Sequence, residues 1–205
     1  NMVYRVWSAV DSRSLPTAAW SEEDNNLESA WMRLPHVCVT GMTNCGKSSM
    51  LNHVLRWKCA SKASSVPGKT DSIDFYVVNN RFVLVDMPGY PDHLDFGHQG
   101  VIKKWDGGWQ DLVFRYLALC REGRYDLRLL LHLQNISSRP TRFCRQFVAH
   151  IQNLGLPMLM VLAKDDHLRK YNSPAKQRKY FSQSVRRDLD FRGFSLHYTC
   201  RTKKE

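Results

Sequence analysis

The most informative segment of this chain is Gly41-Met42-Thr43-Asn44-Cys45-Gly46-Lys47-Ser48. It fits the pattern G-x-x-x-x-G-K-[ST], in which glycines allow backbone N–H groups to surround phosphate groups at the beginning of a helix. Apolar residues at 36–40 predict a short buried strand before it, and apolar residues at helical spacing predict a helix over 47–57. Strand, glycine-rich loop and helix in this order are typical of a phosphate-binding loop, with an ordinary strand-to-helix turn as the alternative.

The residues of this loop and of two later segments predict a site for phosphates and a metal ion. Lys47 is expected to reach the terminal phosphates, and the Ser48 hydroxyl to bind Mg²⁺. Asp86 ends an apolar run and is expected to hold the same ion through water, while the N–H of Gly89 detects a γ-phosphate. Thr70 is expected to complete the Mg²⁺ shell. The alternative for residues 86–89 is a common D-x-P-G turn, and the alternative for Thr70 is a purely structural role. The residues of these segments expected to bind the nucleotide are Gly41, Asn44, Cys45, Gly46, Lys47, Ser48, Ser49, Thr70 and Gly89.

A charged segment after another apolar run bears on which base the site accepts. Ala163-Lys164-Asp165-Asp166 corresponds to the pattern [NT]-K-x-D, whose final carboxylate accepts hydrogen bonds from N1 and N2 of guanine. Asp166 holds that position, and the stem of Lys164 is expected to pack along the base. Ala163 departs from the pattern and removes a side chain that normally braces the loop, so we expect weaker affinity with guanine preference retained. The alternative is a charged cluster that caps a strand.

Taken together and in order, these motifs resemble the EngB/YihA family of GTPases within the TrmE-Era-EngA-like branch. The stretch 41–52 is similar to the family's G-R-S-N-V-G-K-S-S-L-I-N, and the stretch 67–70 is similar to P-G-R-T. The stretch 86–90 resembles D-L-P-G-Y. The likeness extends from about Leu34 to Lys204.

The resemblance implies a fold, cofactors and a cellular role. The fold would be α/β, a Ras-like P-loop GTPase fold with a mostly parallel sheet flanked by helices. The protein would bind GTP or GDP with Mg²⁺, hydrolyse GTP slowly and act in assembly of the large ribosomal subunit. Thr199 and Cys200 would approach the guanine, and Asn44 would help coordinate K⁺. Tyr90 stands where Ras-like enzymes place a water-orienting Gln, so weak intrinsic hydrolysis is expected and no catalytic base is assigned.

Several positions depart from the family pattern. Pro91 follows Tyr90 where the family has Gly, and the family's Asp after the fourth strand is replaced near Gln134-Asn135. The chain ends at Glu205, where the family would enter a final helix; either that helix is absent or the protein is longer. These departures keep open an alternative function, a hydrolysis-deficient GTPase-like scaffold bound to precursor rRNA. An ATP-using P-loop enzyme is the third alternative, which Asp166 disfavours.

Composition and pattern predict one domain. The 205 residues are 43% hydrophobic, enough for one full core, and contain no apolar run long enough to span a membrane. We divide the chain into an N-terminal extension, 1–34, which fits no regular element, and an EngB-type G domain, 35–205. Strands are predicted at 36–40, 72–78, 81–86, 127–133, 157–163 and 194–198. Helices are predicted at 47–57, 109–121, 140–153 and 174–190.

Charge points to a polyanionic partner. The net charge is +11, and basic residues are frequent late in the chain. We expect large-subunit rRNA and ribosomal or assembly proteins as partners, with no membrane and no DNA; the alternative is that these charges only solvate the surface. A basic member of this family with an N-terminal extension suggests the mitochondrion, with the bacterial cytoplasm or a plastid as alternatives.

Overall fold

The protein is built around one sheet that carries helices on its faces. The structure, a computed structural model, describes residues 2–16, 30–55, 71–91 and 99–198. Within those ranges the sheet has seven strands in the order β1-β3-β4-β2-β5-β6-β7. The strands are β1 (Val3–Ala9), β2 (His36–Gly41), β3 (Ile73–Val78), β4 (Phe82–Asp86), β5 (Leu127–Asn135), β6 (Met158–Ala163) and β7 (Ser195–Tyr198). The α-helices are α1 (Lys47–Leu55), α2 (Gln99–Lys104), α3 (Gln110–Arg121), α4 (Arg142–Asn153) and α5 (Pro174–Asp188).

The strand directions confirm the predicted α/β class. β2 pairs in parallel with β4 and β5, β5 with β6, and β6 with β7. β3 pairs antiparallel with β4 and with β1, so only one side of the sheet departs from parallel. The carboxyl ends of β2, β4, β5 and β6 therefore meet at one edge, where open α/β sheets bind their ligands.

The predicted elements agree with the observed ones to within two residues at each described end. All six predicted strands and the helices α1, α3, α4 and α5 are present. The predicted end of the first helix, at 57, lies outside the described residues. These elements were predictable because their buried faces repeat with the period of the element: α3, for example, buries Leu112, Val113, Tyr116, Leu117 and Cys120.

The prediction that 1–34 contains no regular element is wrong for β1. This strand pairs antiparallel with β3, from Val3 opposite Val78 to Ala9 opposite Ile73. A register shift between Arg5 and Trp7 breaks its side-chain alternation, and as an edge strand it buries only Ala9. The sequence therefore lacks the alternating pattern by which a strand is recognised. The domain boundary at 34 and 35 stays a prediction.

The segment before α3 also contains structure that the sequence did not predict. α2 runs into a π-helical turn, Trp105–Trp109, in which Gly108 adopts a φ of 141°, a conformation that favours glycine. Trp105 and Trp109 are buried and anchor this segment. Paired glycines at 107 and 108 normally end a helical pattern, so the sequence did not predict this element.

In the described part of the chain no helix is long and apolar enough to cross a membrane.

Candidate nucleotide-binding site

The loop between β2 and α1 has a backbone shape that requires glycine at its start. Gly41 adopts a φ of 144°, in the region that L-residues rarely enter. A Cβ at this position would lie 2.4 Å from the carbonyl oxygen of Leu133 and 2.8 Å from Sγ of Cys45. Gly46, just before α1, also has a positive φ, 110°. The loop therefore packs closely on β5 and turns sharply into the helix.

Lys47 lies against this loop. Its Nζ donates hydrogen bonds to the carbonyl oxygens of Gly41 at 3.1 Å and Met42 at 2.8 Å, and the residue is 8% exposed. A Cβ at Gly89 would lie only 2.6 Å from this ammonium group. The structure thus brings Gly41, Lys47 and Gly89 together as a compact cationic site at the N-terminus of α1.

The segment after β4 is attached to the same loop by its backbone. The N–H of Met87 donates to the carbonyl of Val39 at 3.2 Å, and the N–H of Thr43 donates to the carbonyl of Tyr90 at 3.0 Å. Asp86 ends β4 and is buried. The predicted phosphate loop and the predicted γ-phosphate sensor are therefore adjacent, separated by no other element.

The Tyr90 side chain is buried in a polar pocket that the sequence analysis did not find. Its Oη lies 3.2 Å from Sγ of Cys144 and 3.3 Å from Nε2 of His132, and its ring stacks on that imidazole at an interplanar angle of 10°. Sγ of Cys144 in turn lies 3.2 Å from Oε1 of Gln134. Burial, assisted by the nearby charge of Lys47, lowers the pKa of His132 to about 3. A lone histidine inside the apolar strand 127–135 was the available signal.

The predicted base-recognition segment begins at the end of β6. Ala163 is buried, Lys164 adopts a left-handed conformation with a φ of 61°, and a 3₁₀-helix, Asp165–Lys170, follows. Asp166 is half-buried. Burial raises the pKa of the Cys45 thiol, and the charges of Lys47 and Lys164 oppose that rise. Lys164 is therefore close enough to the phosphate loop to act on it electrostatically.

The remaining predicted site residues differ in exposure, and three of them lie outside the described residues. Asn44 and Ser49 are exposed, and Ser48 is half-buried at the start of α1. Thr70, Thr199 and Cys200 lie outside the described residues. Asp165, which the sequence analysis left without a role, carries the best-defined ion pair near the segment: Arg178 and His197 both bond its carboxylate.

Comparisons with known proteins agree with this geometry. The sequence model of a family described as "50S ribosome-binding GTPase" matches residues 36–164. A probable GTP-binding protein EngB from Thermoanaerobacter pseudethanolicus is 35% identical over 140 residues, 68% of this chain and 68% of that protein. The crystal structure of a probable GTP-binding protein engB aligns with a TM-score of 0.58 at 12% identity, over 80% of this chain and 89% of that one.

A second solved structure has the same fold. Era, in complex with MgGDPNP and nucleotides 1506–1542 of 16S ribosomal RNA, aligns with a TM-score of 0.56 at 19% identity. The alignment covers 82% of this chain and 52% of Era. At this level of identity the likeness concerns the fold of the shared part.

Proposed function

Because this chain belongs to the 50S ribosome-binding GTPase family, we propose that it is a GTP-dependent switch in the assembly of the large ribosomal subunit. It is an EngB-type GTP-binding protein. The observation that carries the proposal is the contact of the Lys47 ammonium group with the carbonyls of Gly41 and Met42, beside Gly89. A positive charge here supports the proposal, because a γ-phosphate beside it would touch both the loop and the segment after β4.

The phosphates would be held by the loop backbone and by Lys47. The hydroxyl of Ser48 and the carboxylate of Asp86 are oxygen donors of the type that Mg²⁺ prefers, and Thr70 would complete the set. Bound Mg²⁺ would neutralise negative charge on the phosphates. The ion would be bound mainly through phosphates and water, as Mg²⁺ usually is at sites of this kind.

The base would be recognised by the segment after β6. Asp166 would accept hydrogen bonds from guanine, Lys164 would pack on the ring, and Thr199 and Cys200 would approach it. Asn44 would help hold K⁺ beside the phosphates; its exposure and its φ of 58° leave the side chain accessible at the loop.

Intrinsic hydrolysis should be slow. The Tyr90 side chain points into the pocket of His132 and Cys144 and is 1% exposed, so it is not available to orient a water molecule. Hydrolysis would then depend on K⁺ or on a partner. Buried Tyr90 together with Ala163 is also the observation that favours the second candidate function, a GTPase-like scaffold that binds precursor rRNA without turnover.

One face of α5 is suited to RNA. Five of its exposed residues lie on one side of the helix and include three cations and an aromatic ring: Lys176, Lys179, Tyr180, Gln183 and Arg187. Tyr180 is 60% exposed. Cations along one helix face can contact successive phosphates, and an exposed ring can stack on an unpaired base. The RNA bound by Era in its complex supports the same class of partner.

The RNA proposal has a quantitative test. Replacing Lys176, Lys179 and Arg187 together by Gln should weaken binding of a large-subunit rRNA transcript and reduce the slope of log K against log salt by roughly two to three. A matched triple variant, K103Q/R121Q/R124Q, removes the same charge from exposed positions elsewhere. Equal losses in the two triple variants would show that net charge, not this face, attracts RNA.

The switch and the scaffold are separated by turnover. Lys47→Ala should abolish binding of GTP and GDP and, because the GTP-bound form is the one that docks, prevent association with precursor large subunits, with exposed Lys103→Ala as the control. Multiple-turnover hydrolysis by the unmodified protein on these particles supports the switch and excludes the scaffold. If Lys47→Ala still binds nucleotide and docks on and leaves the particles normally, the switch proposal is wrong.

Location and domain division also remain proposals. The similar EngB protein reported above is bacterial, and neither the fold nor the comparisons support a mitochondrial location. That location is therefore proposed only from the basic composition and from residues 1–34 as an extension before a G domain at 35–205. Import of the tagged full-length protein into isolated mitochondria would test it against bacterial cytoplasm and plastid.

A further inference from the structure

The segment that follows β6 lacks the polar side chain that usually stabilises it. In the pattern [NT]-K-x-D the first side chain is polar, whereas this chain has Ala163, whose methyl group is buried. The next residue, Lys164, adopts a left-handed conformation that is unfavourable for a non-glycine residue. Another contact must therefore hold the segment if Asp166 is to meet a base in a fixed position.

Asp165 supplies that contact. Its Oδ1 accepts a hydrogen bond from Nε of Arg178 at 2.7 Å, and its Oδ2 accepts a second one from Nη2 of the same guanidinium group. Nδ1 of His197 lies 3.2 Å from the same Oδ1. The hydrogen bonds from Arg178 hold the pKa of Asp165 below its usual value, against the opposing effect of burial. The side chain of Asp165 is 14% exposed.

The partners of Asp165 come from two different elements. Arg178 is on α5 and His197 is on β7, and Oγ of Ser182 on α5 lies 3.2 Å from Nε2 of His197. Ser182 itself donates to the carbonyl of Arg178 at 2.6 Å. The carboxylate is therefore fixed from two directions, and the bidentate geometry of arginine also fixes its orientation.

We infer that Arg178 and His197 are positioning residues for base recognition, which hold the segment through Asp165 in place of the brace missing at Ala163. The inference rests on the proposed role of Asp166, the next residue along the chain. Both elements reach the segment within one residue of the proposed guanine contact, so release of Asp165 releases Asp166 as well. Lysine could not replace Arg178, because it lacks two N–H groups in a planar fork.

A simple surface ion pair would behave differently. Exposed pairs contribute little to stability, and their loss changes folding without changing which base is preferred. The test must therefore measure discrimination between bases. Inosine diphosphate lacks the N2 amino group of guanine, so comparing it with GDP reports on the second hydrogen bond to Asp166.

The experiment measures the affinities of the full chain for GDP and inosine diphosphate, with melting temperature as a check of folding. The unmodified protein should prefer GDP by about tenfold or more. Arg178→Ala should weaken GDP binding roughly tenfold and reduce the preference severalfold, because a half-buried carboxylate loses its charged partner. Arg178→Lys should not restore the preference. Arg192→Ala, at an exposed position beyond α5, is the matched control and should leave both affinities unchanged.

A second background separates this inference from the proposed function. Asp166→Ala should lose the GDP preference, and adding Arg178→Ala to it should change the preference no further. If Asp166→Ala loses the preference while Arg178→Ala keeps it, the positioning role is wrong and the base site stands. If Asp166→Ala keeps the preference, the base assignment is wrong and the inference falls with it.

Discussion

Acid should destabilise this protein through two buried histidines. His36 on β2 and His132 on β5 are both 0% exposed. Nδ1 of His36 lies 3.0 Å from Oη of Tyr116, and Nε2 of His132 lies 3.3 Å from Oη of Tyr90. Burial lowers the pKa of His36 to about 4, with the charge of Asp126 opposing the shift. Burial and the charge of Lys47 lower the pKa of His132 to about 3.

The sign of the effect follows from these pKa values. In the unfolded chain both histidines return to a pKa near 6.5, so the unfolded state binds protons first as the pH falls. The stabilising contribution of the two buried neutral histidines is complete above about pH 6.5. It is lost as the pH falls towards the pKa values of the histidines in the folded state. At about pH 5 each histidine should cost about 2 kcal/mol relative to pH 8, or about 4 kcal/mol together. That is a large part of the roughly 5–15 kcal/mol that stabilises a typical domain.

The assay is urea unfolding, followed by tryptophan fluorescence, at pH 8 and pH 5. His36→Asn and His132→Gln each keep a polar atom near the position of the bonded ring nitrogen but cannot titrate. Each variant should lose about 2 kcal/mol less than the unmodified protein on acidification. Ile136→Val removes one buried methyl group, so it should cost about 0.5–1.5 kcal/mol equally at both pH values.

The reasoning would be refuted by variants whose acid-induced loss matches that of the unmodified protein. That result would mean that neither histidine is held neutral in the folded state.

Two further substitutions, with Gly155→Ala as a control, test the loop and the pocket. Gly41→Ala would place a methyl group 2.4 Å from the Leu133 carbonyl oxygen, so GDP affinity, measured by fluorescence titration, should fall at least about tenfold. Gly155→Ala, where a Cβ would meet no described atom within 4 Å, should cost about 1 kcal/mol and keep GDP affinity. Tyr90→Phe keeps the ring but loses the hydroxyl contact with Cys144, so thermal unfolding should show a loss of about 1 kcal/mol. Normal GDP binding by Gly41→Ala, or unchanged stability of Tyr90→Phe, would contradict these interpretations.

The fold was predictable where local pattern and tertiary packing agree. β2, the loop after it and α1 combine an apolar run, glycines at two positive-φ positions and a buried helix face within 36–55. β1 was not predictable because its pairing partner lies some seventy residues away and a bulge interrupts its alternation. β1 forms because its backbone is hydrogen-bonded to β3, and the sequence of β1 alone does not predict that pairing.

In the site, too, the contacts within motifs were predictable and the contacts between residues distant in sequence were not. The motif spacing was enough to predict that Lys47 and Gly89 serve one phosphate, and the structure places them side by side. The contacts of Asp165 were not predictable, because Arg178 and His197 follow it by 13 and 32 residues and belong to no common motif. Side chains that meet only through the fold leave no periodic signal in the sequence.

Binding of fluorescent GTP, GDP and ATP to the purified chain with Mg²⁺, in K⁺ and in Na⁺ buffer, shows most directly whether this protein is a guanine-nucleotide switch. Asp166→Ala is measured beside it, with Asp106→Ala at an exposed position as the control. We predict that GTP and GDP bind, that ATP does not compete, and that only Asp166→Ala loses this selectivity. Binding of ATP in preference to GTP, or binding of no nucleotide by a folded chain, would contradict the account of this protein as a guanine-nucleotide switch.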